Sequence, residues 1–396
     1  MYSFYRRVTQ AISVTWGGES MAGFIFTMNN QMALEDCMIR GFYSTNLSEP
    51  ENNRWRIHHE GTFIDFMSMI PGDNVYFFID RMIYGIGVLT DISGLDCKFE
   101  NYPGATIPTV EDFNGLQQSM ILNDRVGRVN NRCICFFKPD PGFFRFGVDI
   151  DDVLSSNPLS FRMLRALWKL SFVKVDDEEN QAIKDILLKR NEKSIGINEE
   201  LFVFDDILHR NAKEIISNEY LVTAKNIVKA AAIQDSIKHE MAIEAAIVER
   251  ISSTNDSVFG KWDYVSHQVI ASPFKPIDYI DKMDVFGYKY ISGYNTISKY
   301  LIIEIKKDSA KTEVVDQVMK YVDWVNHEYA HDDYGMIEAF VVAYDFPNEV
   351  IHHRNSICSR NFIYGRRPAI SKTWKSVRLI KYSYNQVTSE IDFSEI

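Results

Sequence analysis

"KYLIIEIKKD", residues 299–308, is the stretch on which the fold of the second half of this chain turns. Residues 300–305 form a short, β-branched apolar run with polar residues behind it, the pattern of a buried strand. Side chains alternate faces along a strand, so Glu304 and Lys306 share one face while Ile303 and Ile305 occupy the other. A carboxylate and an ammonium in such a strand are costly to bury unless something compensates them. An isolated E-x-K is most simply a structural ion pair at a strand end. The surroundings have to decide whether it is more.

Upstream, in "DKMDVFGYKYISGYNTISKYLIIEIKK", two strand-like runs flank the turn around Gly293, Tyr294 and Asn295, as in an antiparallel hairpin. A turn centred on Tyr294 places Asp284 opposite Glu304, close enough for the two to share a cation. Downstream, "KTEVVDQVMKYVDWV" is an amphipathic helix with Val314, Val318, Tyr321 and Val325 on one stripe. Gln317 and Tyr321, four apart, are neighbours on its surface. "IEAFVVAYDF" is then the closing strand of a right-handed parallel β-α-β unit. In the earlier helix "KHEMAIEAAIVERI", Glu244 falls on the apolar stripe of Ile247, Val248 and Ile251, with Glu240 one turn away at its edge. A core-facing carboxylate needs a partner, and a seam between helices would serve as well as a reaction site.

The order helix-Glu244, strand-Asp284, strand-Glu304-x-Lys306, helix-Gln317-x-x-x-Tyr321, strand resembles the PD-(D/E)xK nuclease superfamily over about residues 236–396. It is most similar to the RecB-like branch with a Q-x-x-x-Y helix, and "MDVFG" stands where such families place their metal-binding aspartate. Asp278 and Asp281 precede Asp284 and leave the choice of aspartate open. The resemblance implies a restriction-endonuclease-like α/β fold with a mixed sheet. It also implies a Mg²⁺ or Mn²⁺ ion held by Asp284, Glu304 and the Ile305 carbonyl, hard oxygen donors that suit such ions. Glu244 would be a further ligand or an anchor for a metal-bound water. Lys306 would orient the attacking water and stabilise charge on the phosphorane. Gln317 and Tyr321 would support the site and the DNA backbone.

A competing motif lies in "NHEYAH", where His327-Glu328-x-x-His331 matches the zinc-protease H-E-x-x-H. It starts beyond the apolar stripe, runs into the turn "DDYG" and has no third ligand in sequence. Two solvent-facing histidines near a helix end are expected instead.

The first 150 residues are rich in short aromatic strands, "GFIFTM", "NVYFFID", "IYGIGVL" and "ICFFKPDPGFFRFGV", which is barrel or sandwich composition. The segment "FIDFMSMIPGDNVYFFIDRMIYGIGVL" resembles PUA-like barrels of the EVE and YTH type, in which a strand precedes G-D-x-V-x-F-Y and a G-x-G strand follows. That resemblance implies recognition of a modified base in an aromatic pocket. Trp16 and Trp55 are candidate pocket residues, with Asn29 or Asn30. A closing helix within "NPLSFRMLRALWKLSF" would bring Arg162 and Arg165 to phosphates. From Asp176 the pattern turns helical through "DDEENQAIKDILLKRNEK", "DDILHRNAKEII" and "YLVTAKNIVKAAAIQDSIKHEMAIEAAIVERI". The expected layout is α+β: an EVE/PUA-like β-barrel domain over 1–175, a helical connector over 176–235 and the nuclease domain over 236–396.

Composition bounds the rest. At 396 residues and 46% hydrophobic, the chain can bury two cores. No run of about 18 uncharged apolar residues occurs and the N-terminus lacks a signal-peptide core, so no membrane partner is expected. Five scattered cysteines suit a reduced, cytoplasmic protein. The net charge of −11 disfavours general nucleic-acid binding. Residues 350–389, however, contain no Asp or Glu and carry Arg366, Arg367, Lys372 and Lys375 among aromatic residues, a composition suited to DNA phosphates. The leading expectation is a Mg²⁺-dependent DNA endonuclease directed by a modified-base sensor, as in restriction or anti-phage defence, acting as a homodimer or higher oligomer. A repair nuclease on mismatched or branched DNA, and a non-cleaving DNA-binding protein on a degenerate nuclease fold, stay open beside it.

Overall fold

The computed structural model describes residues 22–46, 57–101, 132–161, 172–253, 256–271, 281–365 and 367–396. The first half runs β1 (Gly23–Thr27), α1 (Gln31–Arg40), β2 (Phe42–Asn46), α2 (Ile57–Met67), β3 (Asn74–Ile79), β4 (Met82–Leu89), β5 (Lys98–Asn101), β6 (Arg132–Pro139), β7 (Val148–Asp149), α3 (Ile150–Ser156) and β8 (Phe172–Val175). Its sheet has the order β2-β6-β4-β3-β1-β8, with β5 added on β6 and β7 on β4. Among the described residues the end strands do not pair with each other, and these strands form a half-barrel. The aromatic strands make its core: Phe26 packs edge-on to Phe77 and Phe172, and Phe137 to Phe143.

The glycines of "IYGIGVL" make room for this chain's own rings. A Cβ on Gly87 would lie 2.8 Å from Phe143 Cε1, and one on Gly85 3.0 Å from Tyr76 Cδ1. The strand expected before Gly72 is instead the helix α2. Phe63, Ile64, Phe66 and Met67 recur at helical spacing and are buried in one core with residues of the second half.

The second half runs α4 (Asp177–Arg190), α5 (Ile207–Ile215), α6 (Lys225–Ala231), β9 (Ala232–Ile233), β10 (Ser236–Ile237), α7 (Glu240–Ser253), β11 (Tyr264–Ile270), β12 (Lys282–Tyr290), β13 (Ile297–Ser309), α8 (Thr312–Glu328), β14 (Ile337–Asp345), α9 (Asn348–Ile357), β15 (Arg360–Tyr364), β16 (Ile370–Trp374), β17 (Val377–Asn385) and β18 (Glu390–Glu395). Asp176 opens α4 with a reciprocal cap: its Oδ1 accepts from the Glu179 N–H at 2.8 Å, and Glu179 Oε2 accepts from its N–H at 3.0 Å. The helical reading of 220–251 is broken at 232–239, where β9 and β10 form a small hairpin. Tertiary bonds override the helical pattern there: the Tyr384 N–H donates to the Asp235 carbonyl, and the Tyr344 hydroxyl donates to its carboxylate.

The main sheet has the order β11-β12-β13-β14-β17-β18. Its centre, β13-β14-β17, is parallel and its flanks are antiparallel. One face, with Val285, Leu301, Ile303 and Ile305, packs in a core with Ile243 and Ile247 of α7. The other, with Phe286 and Ile302, packs in a core with Val314, Val318 and Val322 of α8. The first core continues into Phe24, Phe63 and Phe66, so the two halves of the chain share one apolar interior through α2 and α7. Among the described residues no helix is long and apolar enough to cross a membrane. All five cysteines are free and buried.

Candidate active site

Strand β13 carries the site because its apolar run ends in two charged residues while it is still inside the sheet. Val285 lies opposite Ile303 and Phe286 opposite Ile302. Beyond that pair the two strands part, and the Asp284 side chain enters the gap, where Oδ2 accepts from the Ile305 N–H at 2.7 Å. In an extended strand a residue's N–H and C=O point to the same edge, so the Ile305 carbonyl faces that gap too. Glu304 is 1% exposed, and its Oε1 accepts from Lys306 Nζ at 2.7 Å. Glu304 Oε2 is buried and meets no N–H donor among the described residues. Across from it is the Asp284 carboxyl, close enough that each moves the other's titration.

Two acids facing each other, with an ammonium beside one of them, have unusual proton affinities. Burial, the Glu304 charge and the Glu244 charge raise the Asp284 pKa well above the carboxylate range. Burial lifts Glu304 to about 7 against the pull of Lys306. They titrate as a pair. Burial opposes the charge of Lys306, but the carboxylates of Glu304 and Asp284 outweigh it and hold the ammonium more firmly protonated than usual. Glu240 adds negative charge at the rim, where its Oε1 accepts from the Lys307 N–H at 3.3 Å.

On α8, Gln317 Nε2 donates to the Tyr321 hydroxyl at 2.7 Å, and both the Glu304 and the Asp284 charges reach that phenol. Tyr321 is buried, and burial first, then Glu304, raises its pKa. Glu244 approaches from the other face of the sheet and is held by His267, whose Nδ1 lies 3.0 Å from its Oε1.

Two neighbours of the pair were not legible as site residues. Gln268 Nε2 donates to Asp284 Oδ1 at 3.1 Å from a backbone in the left-handed region, φ 52°, in the middle of β11. A non-glycine residue held there marks local strain. His267 is the other. The signal is three consecutive polar residues, Ser266, His267 and Gln268, in the apolar strand "YVSHQVI", which puts polar groups on both faces. Gln268→Gly should be more stable than Gln268→Ala by about 1 kcal/mol in thermal melts, because only glycine adopts that backbone freely.

Trp16, Trp55, Asp278, Arg162, Arg165 and Arg366 lie outside the described residues. Asn30 is occupied as the cap of α1, accepting from the Ala33 N–H at 2.8 Å. Arg367, Lys372 and Lys375 are exposed on and beside the β15–β16 hairpin, where Lys372 Nζ sits 3.7 Å above the Tyr364 ring. Other cations of the basic segment are matched by acids from elsewhere: Arg360 pairs with Asp323, Arg378 with Glu395 and Lys381 with Asp345. The hairpin is anchored by Trp374 Nε1 donating to the Ile337 carbonyl at 2.9 Å. Glu304 is level with Val341, four residues and so about 13 Å along β14 from Ile337, where the hairpin is anchored. His327 is exposed and bound to its neighbour Glu328 at 2.8 Å, and His331 lies in the turn after the helix. They do not form a zinc-protease pair.

Among the described residues no cluster of three or more His, Cys, Asp or Glu side chains forms a ready metal cage. The candidate donor set is therefore the two carboxyls and the Ile305 carbonyl. Two buried carboxyls set against each other, Glu304 and Asp284, fit a small, hard divalent cation.

No family model and no curated protein matches this chain. Among the solved structures that match is a repair endonuclease from Pyrococcus abyssi, 20% identical with a TM-score of 0.20. The match covers 32% of this chain and 46% of that one, less than half the length of either. A TM-score of 0.20 is below what a common fold requires, so the functional reading rests on the site itself.

Proposed function

We propose that this chain is a divalent-metal-dependent DNA endonuclease, with Asp284, Glu304 and the Ile305 carbonyl holding Mg²⁺ or Mn²⁺. The observation that carries the proposal is a buried pair of carboxyls, Glu304 set against Asp284 with no N–H donor at Glu304 Oε2, beside the Lys306 ammonium. When bound, the ion supplies Lewis-acid polarisation of the phosphate and a more acidic attacking water. Lys306 holds its proton at Nζ, orients the nucleophile and offers positive charge where the phosphorane develops. Gln317 fixes the buried Tyr321 hydroxyl beside the acids, and the two support the site from α8. Glu244, clamped by His267, adds negative charge behind the pair rather than an oxygen to the ion. Arg367, Lys372 and Lys375 take phosphates away from the cut.

The N-terminal half is proposed to sense a modified base or an unusual DNA structure, which places the chain in restriction or anti-phage defence. Cutting both strands takes two such sites, hence a homodimer or higher oligomer.

The test is incubation with Mn²⁺ and a panel of unmodified, methylated, hydroxymethylated, mismatched and branched DNAs, beside Glu304→Ala. Cleavage of at least one substrate, lost in Glu304→Ala, is expected. Cutting confined to mismatched or branched DNA would favour a repair role. Binding without cutting across the panel, or cutting that survives the substitution, rejects the proposal.

A further inference from the structure

Buried charge collects a second time, directly behind the acidic pair. His267 of β11 is 4% exposed, and its ring lies between two carboxylates from distant parts of the chain. Asp65 Oδ1 of α2 is 3.0 Å from Nε2, and Glu244 Oε1 of α7 is 3.0 Å from Nδ1. Both carboxylates are almost completely buried. A ring with an acceptor at each nitrogen needs a proton on each, which makes it an imidazolium. Burial opposes that charge, but the two carboxylates outweigh it and hold the ring protonated above its ordinary range.

The outer end of this bridge belongs to α2 and so to the N-terminal half. Its inner end, Glu244, acts on Asp284 through its charge. The surrounding packing makes α2 and α7 neighbours, with Phe63 and Phe66 in the same core as Ile243 and Ile247. A charged contact laid inside an apolar interface is sensitive to small displacements, because a buried ion separated from its counter-ion has no water to take its place.

We propose that His267 is a positioning residue that ties Glu244 to Asp65, so that the N-terminal half sets the cation affinity of the Asp284–Glu304 pair. The proposal rests on the metal-binding reading of that pair. With Asp65 in place, the His267 ring is held at both nitrogens and fixes the Glu244 carboxyl behind Asp284, where its charge deepens the negative potential at the pair. When α2 shifts, or Asp65 is replaced, the ring loses its anchor at Nε2. Glu244 then loses its fixed place behind Asp284, and the pair holds a divalent ion less tightly. The coupling is reciprocal: a bound cation favours the arrangement of α2 that keeps the bridge intact. Occupancy of the N-terminal half by DNA and loading of the site with metal would thereby bias each other.

The experiment is calorimetric titration of the full chain with Mn²⁺ at one fixed pH, alongside metal-free thermal melts. Asp65→Asn preserves shape and should weaken Mn²⁺ binding about fivefold, and His267→Gln, which cannot bridge both acids, about tenfold. Ile247→Val, which loosens the α2–α7 core without touching charge, should lower the melting temperature and leave Mn²⁺ affinity unchanged. An Asp65→Asn affinity within about twofold of wild type, or an equal loss in Ile247→Val, overturns the proposal. Should His267→Gln fail to fold, Asp65→Asn decides alone. If wild type binds no Mn²⁺, or Glu304→Ala binds it as well as wild type, the metal-binding reading falls and this proposal with it.

Discussion

Asp284→Asn should cut Mn²⁺-dependent cleavage of the preferred DNA by about a thousandfold or more while leaving the fold intact. The amide keeps an oxygen for the Ile305 N–H, which Asp284 Oδ2 accepts at 2.7 Å, so the gap between β12 and β13 stays the same shape. What it loses is the charge that, with Glu304, makes the gap attractive to a divalent ion. Lys306→Met separates binding from chemistry. The ammonium is the only side-chain cation in contact with Glu304 among the described residues, so removing it should leave Mn²⁺ affinity equal or higher. Cleavage should still fall by about a hundredfold or more, because the ion is then without the side-chain ammonium that orients the nucleophile and adds positive charge at the phosphorane. Single-turnover cleavage rates beside Mn²⁺ titrations read the two effects independently. Wild-type cutting by Asp284→Asn would mean that the ion, if any, sits elsewhere.

How far the sequence reaches can be judged residue by residue. The strand of Glu304, its hairpin partner bearing Asp284, and the helix of Gln317 and Tyr321 were legible because each is a local pattern: a period of two, a turn at Gly293, a period near 3.6. The register followed from the turn alone, and Val285 opposite Ile303 is that register. Local pattern failed where long-range contacts decide. The helical run through Ala232 breaks because Asp235 is claimed by Tyr344 and Tyr384, more than a hundred residues away. Segment 63–70 read as a strand because aromatic residues favour both states, and only the core shared with α7 makes it a helix. The basic segment looked uncompensated because its acids, Asp323, Asp345 and Glu395, lie outside the window. Glu244 was legible as a buried carboxylate in need of a partner, but nothing near it in sequence names His267, and nothing near His267 names Asp65.

The metal-free protein should lose stability as pH rises from about 5 to about 8, by several kcal/mol on the order of 3, and added Mn²⁺ should reverse much of that loss at the upper end. The sign follows from which state holds more protons. Glu304, 1% exposed, is lifted by burial from 4.5 to about 7, so between those values the folded chain keeps a proton that the unfolded chain has released. Its stabilising share is full below the unfolded pKa and is lost as pH climbs through the folded one. Asp73 behaves alike: burial raises it from 3.8 to about 7, against the pull of Lys174. His267, raised by its two carboxylates despite burial, also holds its proton longer when folded and adds in the same direction above its ordinary pKa. Lys174 runs the other way, lowered by burial to about 8, but its contribution changes only above that value. The surface acids Asp345 and Glu395, lowered by Lys381 and Arg378, act at more acidic pH than this window. A cation between Asp284 and Glu304 removes the cause of the loss, since it stabilises the two ionised carboxylates that burial penalises. Mn²⁺ should therefore raise the melting temperature strongly near pH 8 and little near pH 5, where a proton already occupies the pair. Asp284→Asn should flatten both dependences, because one buried carboxylate beside Lys306 is already neutralised. Melts of both proteins across this range, with Mn²⁺ and with chelator, measure all four limits; a Mn²⁺ shift of equal size at both ends of the range would place the ion away from these carboxyls.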